Sequence, residues 1–137
     1  MTAGRRIATT AMAVILWLLG ACDTAPSRLP DEFLGRWYYS GSSGGLTGSI
    51  ARESIDAIVI RSDNTMETQD DAGRVEDRVS FTVRRGPTIF STEDQWILEQ
   101  DGDQDPPVAV LLSEDRKTLT LSQIAYDGMH RTFSRGR

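Results

Sequence analysis

Cysteine and histidine are nearly absent from this chain, which has one of each among 137 residues. One cysteine cannot form an internal disulfide bond, and one histidine with no free thiol beside it is too little for a zinc site. Basic residues are outnumbered by acidic ones, 15 to 20, and no basic stripe with interleaved aromatic residues occurs. Such a surface repels a phosphate backbone, so we expect no nucleic-acid partner. With one cysteine and one histidine we also expect no metal site, and we expect no cofactor.

Long apolar runs are also scarce, and the one that stands out lies near the N-terminus. Ala11–Leu19 is uncharged and apolar, follows two arginines and precedes the small residues Gly20 and Ala21. A basic start, a short apolar segment and a small-residue cleavage point are typical of a secretory signal. The apolar segment is shorter than the roughly 20 residues that span a bilayer. We therefore predict a signal peptide over residues 1–21.

The four residues Leu19–Cys22 resemble the bacterial lipobox, in which the cysteine thiol is diacylated and the chain is cut just before it. The resemblance implies a lipoprotein held in the cell envelope through Cys22, in the outer or inner membrane and facing the periplasm. Two or more acyl chains anchor a protein stably, whereas one does not. Residues 22–30 then form a short lipidated tether, and removal of the signal leaves 13 basic against 20 acidic residues.

Residues 31–137 are expected to form one all-β domain. Short β-prone segments alternate with turn residues, no long 3.6-residue period occurs, and only Ser49–Ala57 would accommodate a short helix. This pattern predicts an antiparallel meander closed into a barrel, or two packed sheets. The eight or nine predicted strands are Arg36–Ser40, Ile55–Arg61, Thr65–Thr68, Val75–Arg85, Thr88–Thr92, Gln95–Gln100, Val108–Leu112, Lys117–Ser122 and Met129–Ser134.

Several local features sharpen this prediction. Gly86-Pro87 is expected to end one strand, and the turn Glu93-Asp94 is expected to separate two others. A change of apolar parity after Leu121 predicts a bulge near Gln123. Gly41–Ser49 is rich in glycine and serine and is expected to be a flexible loop. One face of Val75–Arg85 is expected to carry Val75, Val79, Phe81 and Val83.

Phe33-Leu34-Gly35-Arg36-Trp37 resembles the opening of lipocalin-like domains, in which a Gly-x-Trp motif starts the first strand. The closing run from Leu112 to Arg135 is similar to the last hairpins of small bacterial lipocalin-like lipoproteins. The resemblance implies a barrel of about eight strands with Gly35 and Trp37 at its base. It also implies that an arginine near the last strand, Arg131 or Arg135, packs across the tryptophan. A cation–π contact of roughly 0.5–2 kcal/mol would hold such a pair.

Three patterns suggest chemistry but have simpler interpretations. Gly41–Gly45 fits the Gly-x-Ser-x-Gly nucleophile motif, which requires a strand-to-helix turn in a larger α/β sheet. The alternating aspartates of Asp101–Asp105 resemble the start of a calcium loop, but Pro106 stands where glycine is needed. His130, the one histidine, has no second ligand or base near it in sequence. We therefore expect no catalytic residue.

The functional prediction is a non-enzymatic envelope lipoprotein, for which two classes remain open. In the first, an eight-stranded barrel holds one small hydrophobic ligand, and the Gly41–Ser49 loop gates its mouth. In the second, side chains fill the barrel, which serves as a platform for an envelope protein or as an inhibitor. The aromatic residues are expected to belong mainly to the core, with Trp37 and Tyr39 facing inward and Tyr38 outward.

Overall fold

The computed structural model describes residues 28–44, 55–102 and 105–137. The predicted signal peptide, with Cys22 and most of the tether, lies outside the described residues. Within them, no helix is long and apolar enough to cross a membrane. One turn of 3-10 helix, Asp31–Phe33, precedes eight strands, which are β1 (Gly35–Gly44), β2 (Ala57–Ile60), β3 (Thr65–Gln69), β4 (Val75–Thr88), β5 (Ser91–Gln100), β6 (Val108–Leu112), β7 (Thr118–Gln123) and β8 (Met129–Ser134).

The eight strands form a single closed antiparallel barrel. Each strand pairs with the next in sequence, and β8 pairs with β1, so that the ring has no gap. Phe133 of β8 lies opposite Tyr39 of β1 across the closing pair. The all-β prediction and the closed barrel are therefore confirmed, and the alternative of two packed sheets is wrong.

The strand directions give the barrel two distinct ends. At the end where β1 begins, the 3-10 helix covers the opening, and we call this the capped end. The turns between β2 and β3, between β4 and β5, and between β6 and β7 leave the barrel on the same side. The opposite end, which we call the loop end, carries residues 70–74, 101–102, 105–107 and 124–128 between the other strands.

The apolar core fills the capped end, because inward-facing residues of the strands meet the helix cap there. Leu29, just before the cap, and Phe33, the last residue of the cap, are buried together with Trp37. The fully buried residues with the largest side chains include Trp37, Phe133, Leu29, Ile60, Ile97 and Leu119. Ile97 is the exception to this arrangement, since it faces outward from β5, opposite Arg84 of β4.

Two predicted turns between β4 and β5 are wrong. β4 continues through Gly86-Pro87 to Thr88, and β5 runs unbroken from Ser91, so the turn falls at Ile89 and Phe90. Proline is tolerated because β3 pairs with β4 only as far as Ser80, which leaves one edge of β4 without a partner strand. The two strands predicted over 88–100 are thus one, and the total is eight.

The prediction for one face of β4 also needs a correction. A register shift between β3 and β4 places Val75 opposite Gln69 on the outer face, where Val75 is exposed. Val79, Phe81 and Val83 keep the predicted inward orientation, as the burial of the two last residues shows. The extra residue of the bulge reverses the parity of the strand before it.

Two further local predictions differ from the structure. β1 extends through Gly44, so the first four residues of the predicted Gly41–Ser49 loop are strand. A Cβ atom on Gly44 would lie 2.5 Å from the carbonyl oxygen of Gly128, so glycine permits this close approach of β1 to the β7–β8 turn. The predicted bulge near Gln123 is absent, because β7 ends there and a turn follows. Residues 45–54, with most of the predicted short helix, lie outside the described residues.

Candidate functional site

The capped end is built around Trp37, whose side chain is 0% exposed. Its indole Nε1 donates a hydrogen bond of 2.9 Å to the carbonyl oxygen of Phe33 in the cap. The guanidinium carbon of Arg135 lies 4.0 Å from the centroid of the Trp37 ring. Arg135 also donates to the carbonyl oxygens of Leu34, at 3.0 Å, and Glu32. Arg135, which follows β8, therefore contacts both the cap and Trp37.

The other two residues expected at the base behave differently from each other. Gly35 adopts a φ of +105°, a conformation that residues with a Cβ rarely adopt, and it lets the chain turn from the cap into β1. Arg131 does not lie at the base. It pairs with Ser42 and Leu121 nearer the loop end, and its side chain lines a cavity in the barrel interior.

This cavity, of about 120 Å³, occupies the loop end of the barrel interior. Inward-facing residues of β3 to β8 supply its wall in neighbouring pairs, such as Met66 with Val79 and Leu98 with Val108. Pro106 reaches it from the β5–β6 connection. The apolar wall consists of Met66, Val79, Phe81, Leu98, Pro106, Val108, Leu121 and Met129.

Four polar side chains complete the wall. They are Gln100, Asp105, Gln123 and Arg131. The side-chain oxygen of Gln123 accepts a hydrogen bond of 3.0 Å from the backbone N–H of Met129, which fixes the start of β8. Gln100, Asp105 and Arg131 each have a partner. The cavity is therefore lined mainly by apolar side chains, with two amides, a carboxylate and a guanidinium among them.

The size of the cavity limits what it can hold. Ligand pockets for drug-sized molecules are typically about 300–1,000 Å³, whereas an engineered apolar cavity of about 150 Å³ binds benzene. A space of about 120 Å³ accommodates one small apolar group, such as a ring or the end of an alkyl chain. Met66 and Met129 have flexible unbranched side chains, so the wall can adjust to the shape of that group.

The residues weighed for catalysis lie in β1 and β8. Ser42 accepts a hydrogen bond of 2.8 Å from the hydroxyl of Tyr39, and Ser43, the serine at the nucleophile position of the Gly-x-Ser-x-Gly pattern, lies within strand β1. This is not the strand-to-helix turn that the nucleophile motif requires. His130 lies 2.8 Å from the hydroxyl oxygen of Ser122 through Nδ1. That contact, between paired residues on the outer face of the barrel, was not foreseen from the sequence.

The metal-like patterns gain no support from the described residues. Within 28–44, 55–102 and 105–137, no group of three histidine, cysteine, aspartate or glutamate side chains is placed to hold a metal ion. Asp105 lines the cavity instead, and Asp103 lies outside the described residues.

A buried carboxylate on the outer face was also missed. Glu67 of β3 is 1% exposed, although it points outward. It accepts hydrogen bonds from Arg61 at 3.2 and 2.9 Å, and another from Arg78. The hydrogen bonds from Arg61 and then Arg78 hold the pKa of Glu67 below its usual range, against the effect of desolvation. Alternation predicts that Glu67 and Arg78 face outward, but not that arginines cover the carboxylate.

No protein-family model, no curated protein and no solved structure matches this chain. The function is therefore inferred from the sequence and from the geometry of the barrel.

Proposed function

We propose that this chain is an exported envelope lipoprotein, anchored through Cys22, whose lipocalin-like barrel binds one small hydrophobic ligand. The observation that carries the proposal is the cavity at the loop end of a barrel whose other end is filled and capped. The proposal includes no catalytic step, and the ligand is held by contact alone. The stack of Arg135 on Trp37 beside Gly35 supports the lipocalin-like interpretation.

The position of the tether agrees with a binding role. The chain enters the barrel at the capped end, since Leu29 and Phe33 are packed there ahead of β1. A lipid on Cys22 would be six residues from Arg28, a distance of at most about 20 Å in extended chain. The cavity then lies at the end of the domain farther from the lipid, where a ligand from the periplasm can reach it.

The lining predicts the kind of ligand. A short apolar group would contact Phe81, Leu98 and Leu121, while a polar head would lie near Arg131 and Gln100. Burial of each methylene contributes about 0.8 kcal/mol, so a group that fills this space gains only a few kcal/mol from its apolar part. We therefore expect binding in the micromolar range or weaker, with a sharp loss of affinity for bulkier ligands.

Ligand binding is tested by filling the cavity. Val108→Phe places a larger side chain in the cavity wall, whereas Leu111→Phe makes a comparable change on the outer face of the same strand. Isothermal titration calorimetry with a series of short-chain alkyl carboxylates and alcohols should show binding to the wild type and to Leu111→Phe. Val108→Phe should not bind. Unaltered binding by Val108→Phe would place the ligand elsewhere.

The lipid anchor is tested separately by Cys22→Ser in the full chain. Loss of the thiol removes the acylation site, so carbonate washing should release the variant from membranes and leave the wild type behind. Equal retention of both proteins would contradict the anchor without bearing on the cavity.

A second candidate function is a platform for an envelope protein, and the charge of the loop end favours it. The turns at that end carry Asp70, Asp71, Asp101 and Asp127, against Arg74. Acidic loops steer a basic partner and make its association sensitive to salt. A partner recovered by cross-linking from the periplasm, and lost when Asp71 and Asp127 are changed to Asn, would support this candidate over the ligand carrier.

A further inference from the structure

The turn between β4 and β5 has unusual residues for its position. Ile89 and Phe90 are the two connecting residues, since Thr88 pairs with Ser91 on either side of them. Two-residue hairpin turns favour glycine or asparagine, which readily adopt positive φ. Among the described residues other than glycine, positive φ occurs only at Asn64 and Arg116. Ile89 and Phe90 therefore lack the positive φ that is usual in such a turn. Although both side chains are apolar, they are 51% and 55% exposed.

The turn is also held at a definite place on the barrel. The Phe90 ring lies 6.4 Å from the ring of His130, with an interplanar angle of 62°. His130 faces outward, because its neighbour Arg131 lines the interior cavity. The tip of the β4–β5 hairpin thus rests on the outer face of β8. We call Ile89 and Phe90 in this position the apolar tip.

The hairpin extends beyond the part of β5 that pairs with β6. β5 leaves its pairing with β6 at Trp96, and the chain before that residue leads to the tip. A row of outward-facing residues, Ile97, Ala109 and Ser122, runs in register from β5 to His130 and is buried. The apolar tip is therefore held on the outer face of β8 by the contact between Phe90 and His130.

The length of the tether bears on which surface the apolar tip can contact. His130 is four residues from the end of β8 at the capped end, which is about 13 Å along a strand. The stretch from Cys22 to Arg28 spans up to about 20 Å. A lipid on Cys22 therefore allows the barrel to lie with its β8 side, and hence the tip, against the bilayer.

The charges around the tip also favour a lipid surface. Arg84 is paired with Glu99 at 2.6 Å, and Arg85 lies over the Trp96 ring. Glu93 and Asp94 follow the tip in β5. Two arginines and three carboxylates leave little net charge here, so recognition would depend on apolar contact more than on charge. Aromatic and aliphatic side chains on such a tip suit the interfacial zone of a membrane.

We propose that Ile89 and Phe90 insert into the surface of the membrane that carries the lipid anchor and give the domain a second point of attachment. This inference rests on the anchor of the proposed function. The tip adds orientation more than affinity, because two half-exposed side chains contribute little beside two acyl chains. It would fix the β8 side toward the bilayer and direct the loop end along the membrane surface.

The test uses the lipidated full chain in vesicles of phosphatidylcholine brominated in the acyl chains. Phe90→Trp places a fluorescent reporter at the tip. Val75→Trp is the matched control, because Val75 is 49% exposed on β4, four strands around the ring from β8. Emission is compared with that of the wild type, and circular dichroism verifies that each variant is folded.

We expect bromine to quench the added emission of Phe90→Trp and the emission maximum to shift to the blue, while Val75→Trp keeps its intensity and stays red-shifted. Vesicle-bound protein in which Phe90→Trp is quenched no more than Val75→Trp would overturn the membrane tip and leave the anchor standing. A wild-type chain that does not float with the vesicles would overturn both the anchor and the tip.

Discussion

Replacement of Trp37 by alanine removes the largest side chain of the capped end. Loss of a buried tryptophan or phenylalanine costs about 3–5 kcal/mol in typical cores. The hydrogen bond to Phe33, of about 1 kcal/mol, is lost as well and lies within that range. Domains of this size are stable by only about 5–15 kcal/mol, so Trp37→Ala should remove roughly a fifth or more of the stability.

The assay is urea unfolding of the Cys22→Ser chain, followed by far-ultraviolet circular dichroism. The midpoint urea concentration should fall strongly. The slope should stay near the wild-type value, because the surface area exposed on unfolding changes little. If Trp37→Ala does not fold at all, Trp37→Phe gives a measurable intermediate, because it keeps most of the volume and loses the indole N–H. A shift equivalent to less than about 1 kcal/mol would refute the assignment of Trp37 as the central residue of the cap.

A double-mutant cycle separates the stacked arginine from the rest of the effect. Arg135→Ala alone should cost about 0.5–2 kcal/mol for the cation–π contact, and more if the cap frays without its hydrogen bonds. The double variant Trp37→Ala with Arg135→Ala should lose less stability than the sum of the two single losses, by an amount of the same order. Additive effects would show that the guanidinium contributes only through the cap carbonyl groups.

Three other predictions follow from single contacts. Folding stability should fall as the pH drops below about 4.5, the ordinary glutamate pKa, because the folded pKa of Glu67 is lowered. The contribution of Glu67 is complete above about 4.5 and is lost as the pH falls through the lowered folded pKa. Glu67→Gln should flatten this slope in urea titrations between about pH 7 and 3. Gly44→Ala should lower the melting temperature, because its Cβ would lie 2.5 Å from the Gly128 carbonyl oxygen, while Gly136→Ala, with open space around it, serves as the unaffected control. Ile89→Ser should leave the unfolding midpoint nearly unchanged, since its side chain is half exposed; a large loss would assign it to the core.

Strand positions and the face of each residue could be predicted wherever alternation was regular. β6 and β8 were predicted with their observed bounds, Val108–Leu112 and Met129–Ser134, and β7 within one residue. In β1, Trp37 faces inward and Tyr38 outward, where Arg137 stacks on it at 5.1 Å. Such segments have a dense apolar face that allows only one register.

The errors arose where tertiary contacts override local signals. Gly86-Pro87 suggests a strand end in isolation, yet the proline lies on an open edge of β4 where no N–H is needed. Gly41–Gly44 suggests a loop, yet β8 pairs with it and the β7–β8 turn comes close to it. Neither the pairing partner nor the missing neighbour strand is visible in a local window of sequence.

The candidate site could be predicted only in outline. The Gly-x-Trp motif pointed to the base and to an arginine across it, but Arg131 and Arg135 were equivalent by sequence. The register decides between them, because it places Arg131 beside Leu121 in the interior. The cavity depends on which inward-facing side chains leave space unfilled, a property of packing that composition and alternation do not contain.

Native mass spectrometry of the Cys22→Ser chain, purified from the periplasm and compared with its denatured mass, tests the central claim most directly. The account predicts a bound molecule of low mass that is lost on denaturation and is absent from Val108→Phe. An identical native and denatured mass for the wild type, together with no binding in titrations, would contradict the carrier and leave the barrel as a platform.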